Sequence, residues 1–167
     1  MSTISRDELS RVGLRLLAEH GLADVSMRRV ANELDVAVSA LYWHVKDKQS
    51  LLGAIVDRLF HEVEFEAPTG NWKVDLTVRA ERLYSILLET RDAAELAASA
   101  LALGTGGAKL RETIAEVSPD RVTTDAILAL LIGHATLNQQ RIQAQAIGIQ
   151  TVEPTTATFA ATLRLLI

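Results

Sequence analysis

The chain has 167 residues, 49% of them hydrophobic, no cysteine, and a formal net charge of −4 from 17 Lys/Arg against 21 Asp/Glu. That apolar share is ample for a buried core in one or two small domains, and no run of eighteen uncharged apolar residues offers a membrane span. Without cysteine, disulfides and thiolate chemistry are excluded, the opening Ser2-Thr3-Ile4-Ser5 lacks the apolar stretch of a secretory signal, and a reducing cytoplasm is the expected setting.

Ser5 and Glu8 have the spacing of a capping box, and Leu9, Val12, Leu16 and Leu17 follow at helical period. Gly21 is placed to end this first helix, with apolar Leu22 behind it. Ser26 predicts the cap of a second, short helix that keeps Val30, Ala31 and Leu34 on one face. Asp35 stands where the chain must turn, and aspartate tolerates a left-handed backbone. Val36 can plug that corner, and a third helix of about two turns is predicted from Ala37 to Trp43. Asp47 is expected to cap a fourth helix over 48–63, with the stripe Leu51, Leu52, Ile55, Val56, Leu59 and Phe60. Residues 1–62 therefore read as a small helical head, and the fourth helix as its connector to the rest.

Short helix, tight turn, short helix is the geometry that lays a recognition helix in the major groove of double-stranded DNA. Arg28, Ser39, Tyr42, Trp43, His44, Lys46 and Lys48 collect around the second short helix of that pair. Two adjacent aromatics on a short helix cannot both face inward, so at least one of Tyr42 and Trp43 is exposed. The acidity of the chain is unevenly placed. Residues 1–60 carry eight basic and eight acidic groups, while residues 61–167 carry nine against thirteen. A neutral head predicts modest non-specific affinity and reliance on shaped contacts.

After the turn-rich Glu66-Ala67-Pro68-Thr69-Gly70-Asn71, the second domain is predicted over 68–167. A helix from Trp72 ends near Thr90, and Asp92 with Glu95 looks like the cap of an alanine-rich helix reaching about Leu103. Gly104-Thr105-Gly106-Gly107 reads as a flexible joint, followed by a helix from Ala108 to Val117. Ser118-Pro119 is expected to open a long helix to about Ala146, with proline at its first position. Gly148 to Pro154 is a loop, and Thr155 or Thr156 caps a last helix ending on Leu165-Leu166-Ile167, an ending also expected of a shortened chain. No strand pattern and no solenoid repeat is seen, so the fold is expected to be all-α.

Ser26-Met27-Arg28-Arg29-Val30-Ala31, Leu41-Tyr42-Trp43-His44-Val45-Lys46-Asp47-Lys48 and Leu51-Leu52 closely resemble the tetracycline-repressor (TetR) family of bacterial transcription regulators, and within it the tetracycline-sensing members. The likeness is strong over residues 5–62 and weaker at Trp72–Asp92, at Gly133-His134-Ala135-Thr136-Leu137 and at Pro154-Thr155-Thr156. It implies a homodimeric repressor on a palindromic operator, with DNA contacts from Met27, Arg28, Val38, Ser39, Ala40, Tyr42, Trp43, His44 and Lys48. Guanine is the natural partner for the Arg28 fork, whereas Val38, where the tetracycline repressor has glutamine, cannot pair with adenine and offers a thymine methyl a contact. The family's C-terminal domain is a helical ligand-binding and dimerisation unit. Ile127, Leu131, Phe159 and Leu163, on two helices that are apolar nearly all round, are expected to bury the dimer interface.

In the same alignment, the metal-binding histidine and glutamate of the tetracycline sensors fall on Ala97 and Ile142, which cannot hold a hard cation. Their drug-binding histidine, asparagine and phenylalanine fall on Glu64, Arg79 and Leu83. A small, largely apolar effector other than magnesium–tetracycline is therefore expected, in a pocket of Glu64, Arg79, Leu83, Leu87, Leu101, His134 and Asn138, with no cofactor and no metal. Arg79 is open to two roles, meeting an anionic ligand or pairing with Glu64. The alternative is an architectural DNA-binding regulator without an effector. An enzyme would have to use His134 with Asn138, or His44 and His61 with carboxylates, and no nucleophile elbow, metal-ligand spacing or phosphate loop supports one.

Overall fold

The computed structural model describes residues 4–153 and 155–167; among them the chain forms nine α-helices and no strand. Pro154, in the loop expected before the last helix, and Met1 to Thr3 lie outside the described residues.

α1 (Arg6–His20) begins as its caps dictate, with Ser5 Oγ accepting the Glu8 N–H at 3.1 Å, and ends at Gly21, whose φ of 86° suits glycine. A 3-10 turn (Leu22–Asp24) leads to α2 (Met27–Glu33), opened by Ser26 Oγ accepting the Arg29 N–H at 3.2 Å. Asp35 takes the left-handed conformation expected of it, φ 52°, and the Val36 N–H returns to Ala31 O at 3.0 Å. α3 (Val38–Leu41) is shorter than the predicted Ala37–Trp43. The His44 N–H bonds three residues back to Leu41 O at 2.9 Å, a tightening that sets Val45 in the core. α4 (Lys48–Leu59) is capped by Asp47, which accepts the Ser50 N–H at 2.7 Å. It closes at Leu59 and not at 63, because the N–H groups of His61 and Val63 bond three residues back while Phe60 turns fully into the core.

In the body, α8 (Arg121–Ala146) is the hub on which α5 (Trp72–Glu89), α6 (Ala93–Leu103), α7 (Ala108–Ala115) and α9 (Thr156–Leu166) all pack. α4 lies against α1 on one side and against α6 and α7 on the other, so one hydrophobic cluster runs from Leu9 in the head to Leu163 in the body. Two expected helix starts are corrected. α8 opens on Asp120, whose carboxylate accepts the Thr123 N–H at 2.7 Å, while Ser118 donates its hydroxyl back to Ile114 O and so closes α7. Asp92 stands at the start of α6 but makes no capping bond there, because its left-handed φ of 57° aims the carboxylate elsewhere.

The expected interface residues are also placed differently. Ile127, Leu131, Phe159 and Leu163 are each 1% exposed or less within a single chain. α5 packs against both α8 and α9, and Phe159 stacks on the Tyr84 ring of α5 at 4.1 Å between centroids. What α8 leaves outside is a line of mostly small residues, Ala126, Ala129, Gly133 and Leu137.

Candidate DNA interface and its link to the body

α3 and its flanks expose most of the residues expected at DNA. Ser39, Tyr42, Trp43, His44, Lys46 and Lys48 face solvent, as does Arg28 at the start of α2, and Val38 and Ala40 are half-buried. Both aromatics point outward: Tyr42 is 55% and Trp43 88% exposed, an unusual state for a pair this apolar. Met27 is the exception. It is buried beside Val30 and Ala31 in the head's core, so its thioether cannot reach a base edge.

Ion pairing resolves the neutral charge of the head. Five of its eight basic groups are matched by carboxylates: Arg6 with Asp57, Arg11 with Glu8, Arg15 with Glu33, Arg29 with Asp24 and Arg58 with Asp7. Among the described residues, Arg28, Lys46 and Lys48 have no such partner, and all three flank α3. Beside α3 this leaves three unpaired cations, Arg28, Lys46 and Lys48, with the carboxylates of Asp35 and Asp47. Asp47 does not cancel Lys46 and Lys48 freely, since its carboxylate is engaged by the Ser50 N–H and hydroxyl, bonds that hold its pKa below the usual carboxylate value. Lys48 thus sits on the first turn of a twelve-residue helix whose free N–H groups favour an anion.

α4 meets the body at a point of backbone contact that the sequence pattern did not single out. A Cβ on Gly53 would lie 2.0 Å from Thr105 O, and one on Gly106 would lie 2.3 Å from Gly53 O. Only two glycines allow helix and loop to approach so closely. One turn further along α4, the Asp57 carboxylate accepts the Gly107 N–H at 2.8 Å. Gly104-Thr105-Gly106-Gly107, read as a joint, is therefore a seat for α4. A lone glycine inside the amphipathic pattern of α4 was the one available signal.

The seven residues expected to form a ligand pocket do not share one cavity. Leu83 and Leu87 are fully buried in α5. Arg79 is buried as well, bonded to Thr113 O at 3.0 Å and to Glu116, with its guanidinium 5.3 Å from the Phe65 ring centroid. Its ion-pair partner is thus Glu116, held below the usual carboxylate range by that hydrogen bond and charge, and not Glu64, which lies in the linker before α5. His134 is set edge-on to Tyr84 and Phe159, with a buried Nδ1 that finds no hydrogen-bond partner among the described residues. Asn138 donates to the Tyr84 hydroxyl at 2.6 Å and to Thr155 O at 3.0 Å, and burial pushes the Tyr84 phenol up. Leu101 alone of the seven lines the large cavity, about 860 Å³ between α6 and α8. Ala98, Leu128 and Ile132 supply further apolar wall, Thr105 and Gly106 its end, and Asp57 and Arg111 its polar rim.

Comparison with known proteins bears on both regions. Residues 10–55 match the family model of bacterial regulatory proteins, tetR family. The head of the chain, over those residues, is therefore of the TetR kind. Over 99 residues it is 31% identical to the tetracycline repressor protein class E of Escherichia coli, covering 58% of this chain and 47% of that one. The chain spans less than half the length of the curated relatives it matches. The crystal structure of BioQ from Mycobacterium smegmatis aligns along 98% of this chain and 95% of its own, with 28% identity and a TM-score of 0.87. BioQ bound to its double-stranded DNA operator aligns with 26% identity and a TM-score of 0.80. The chain thus joins a helix-turn-helix head like that of tetR-family proteins to an all-helical body. In that body, Ala97 is fully buried and Ile142 is 48% exposed on α8, and neither offers an oxygen or nitrogen ligand to a cation.

Proposed function

We propose that this chain is a TetR-family regulator, a homodimeric repressor of the cytoplasm that binds a palindromic operator and releases it on binding a small, largely apolar ligand. The observation that carries the DNA assignment is the charge economy of the head, which leaves Arg28, Lys46 and Lys48 unpaired around α3 beside two exposed aromatics. Ser39, Val38 and Ala40 then meet base edges or thymine methyls, Arg28 a guanine, and Tyr42, His44 and Lys48 the phosphates. BioQ, whose operator complex has the same fold, supports the same use of this head. Two heads are needed because one four-residue recognition helix reads too little DNA, and half-sites about one helical turn apart suit a two-fold dimer. The outward face of α8, through Ala126, Ala129, Gly133 and Leu137, is the surface we assign to the second copy, which would then also border the cavity that Ala129 and Gly133 line.

Release follows from the cavity between α6 and α8. Its end wall is the loop that touches Gly53, so a ligand that shifts Thr105 or Gly106 must also shift α4. Apolar walls with Asp57 and Arg111 at the rim suit a mostly apolar ligand carrying a polar group. With Ala97 and Ile142 at the metal positions, magnesium with tetracycline is expected to be inactive. Catalysis has no support in this arrangement: His134 packs against aromatic rings, and the Asn138 amide is committed to Tyr84 and Thr155. Selection from random DNA, followed by a salt titration, tests the reading. A parent protein that enriches no palindrome overturns it. A thermal-shift screen of apolar compounds, followed by operator release, tests the effector, and a screen without hits favours the effector-free regulator.

A further inference from the structure

Asp92 joins the end of α1, the corner between α5 and α6, and the far end of α8. Its Oδ2 accepts the backbone N–H of Leu22 at 2.8 Å, across 70 residues of sequence. Its Oδ1 accepts from Gln143 Nε2 at 2.5 Å, across 51 residues. The side chain is 16% exposed, with Arg91 Nε 3.8 Å from Oδ2. The backbone at Asp92 is left-handed, φ 57°, one of two positive-φ non-glycine residues described. Such a conformation persists in a non-glycine residue where its surroundings over-determine it.

The surroundings here do so from both sides. On the body side, Gln139, one turn before Gln143 on α8, donates to Leu87 O at 2.7 Å and Thr90 O at 2.6 Å and accepts the Ala94 N–H at 3.2 Å. The corner between α5 and α6 is thus clamped to α8 by two glutamines at i and i+4. On the head side, Gly21 has no Cβ, and one placed there would lie 2.7 Å from Asp92 Oδ2. Gly21 therefore ends α1 and also admits the carboxylate to the Leu22 N–H.

We propose that Asp92 is a positioning residue for DNA binding, a strut that fixes the angle of the head on the body independently of α4. α4 supplies one attachment of the head to the body, through its packing on α6 and α7, the close approach of Gly53 to Thr105 and the Asp57–Gly107 bond. The Leu22–Asp92 bond is a second attachment, at the end of α1, and it limits rotation of the head about the first. Because the strut is anchored on α8, the angle of each head is referred to the helix proposed to lie at the two-fold axis. Asp92 then sets the spacing of half-sites the dimer accepts and leaves the bases read within each half-site unchanged. The inference rests on the DNA-binding reading above.

The test uses three variants of the full chain. Asp92→Gly removes both hydrogen bonds and relaxes the left-handed backbone, so any loss cannot be assigned to strain at the corner. Asp92→Asn keeps an acceptor for Leu22 and tolerates the same backbone, with Gln143 turning its amide to match. Gln143→Ala cuts only the anchor. On a palindrome selected by the parent, moving the half-sites by one base pair is expected to weaken the parent by about tenfold or more. Asp92→Gly is expected to lose most of that discrimination while keeping the parent's base preferences; Gln143→Ala should lose part of it and Asp92→Asn little. Amide hydrogen exchange gives a readout without DNA: Leu22 should be protected in the parent and Asp92→Asn, and exposed in Asp92→Gly. Parent-like spacing discrimination in Asp92→Gly, or unchanged exchange at Leu22, overturns the strut. A parent that enriches no palindrome overturns the DNA-binding reading instead, and the exchange measurement tells the two failures apart.

Discussion

The head and the body of this chain are built by different means. In the head, the caps and one ion pair act on near neighbours, Ser5 on Glu8, Ser26 on Arg29, Asp47 on Ser50 and Asp24 on Arg29, while the Arg15–Glu33, Arg6–Asp57 and Arg58–Asp7 ion pairs are surface ties between helices. In the body, the polar side chains that matter reach far along the sequence, with Arg79 to Glu116, Asn138 to Tyr84 and Gln139 to Leu87 spanning 37, 54 and 52 residues. Local ties make a rigid small unit whose surface can be read from spacing alone. Long-range ties make a helical packing whose partners lie far apart along the chain.

The largest effect that can test this contrast lies within α8. Leu131→Ala empties space in a fully buried site and is expected to cost about 2–5 kcal/mol of stability. Gly133, two residues on, faces outward, and a Cβ there would meet no atom within 4 Å. Gly133→Arg should therefore leave folding unchanged and, with the outward face of α8 as the proposed dimer surface, give a monomer with weakened operator binding. Denaturant unfolding and sedimentation separate the two outcomes. If Leu131→Ala yields a stable folded monomer, the inward and outward faces of α8 have been interchanged.

Next comes the seam between the regions. Gly53→Ala sets a methyl group against the Thr105 carbonyl, a backbone atom that cannot step aside cheaply, and is expected to cost about 1–3 kcal/mol. Ala54→Gly, its neighbour on α4, serves as the control for a change of helix propensity. If Gly53→Ala binds operator and melts as the parent does, α4 is not seated on the loop and the release route through Thr105 falls.

On the head surface, Arg28→Ala should weaken operator binding by about 1–3 kcal/mol and relax the preference at one base pair of each half-site. Lys48→Ala should weaken binding to all sequences alike and flatten the salt dependence by about one unit of slope. Arg15→Ala, whose partner is Glu33, is expected to leave DNA affinity near that of the parent. Equal losses for Arg15 and Arg28 would dissolve the division between paired and unpaired cations.

What was legible in the sequence follows the same division. The caps at Ser5, Ser26 and Asp47, the left-handed corner at Asp35 and the outward Tyr42 and Trp43 all rest on residues within a few positions of one another. In the body the helices themselves were legible, but their partners were not. Ile127, Leu131, Phe159 and Leu163 are apolar whether they face α5 or a second copy, and periodicity cannot tell a core from an interface on a helix apolar nearly all round. Asp92 followed by Glu95 has the spacing of a cap, yet its carboxylate is taken by groups 70 and 51 residues away, a competition no local pattern records. Arg79 found Glu116 and not Glu64 for the same reason.

The smallest expected effect compares one device used in both regions. Asp47 caps α4 and Asp120 caps α8, each accepting an N–H three residues on at 2.7 Å, and in each those backbone and hydroxyl hydrogen bonds hold the pKa below its ordinary value. A carboxyl group with a lowered folded-state pKa contributes stability above its unfolded pKa and loses it as pH falls through the folded value. The contribution is therefore complete at neutral pH and fades below about pH 4. Asp47→Asn and Asp120→Asn retain an acceptor that does not titrate. Each variant should be slightly less stable than the parent at pH 7, and the difference should shrink on acidification, by similar amounts for the two sites since both caps are exposed. Thermal melts from pH 7 down to pH 3 give the comparison. A gap that widens toward acid at either site would reverse the sign and show that the carboxylate there is not bonded as a cap.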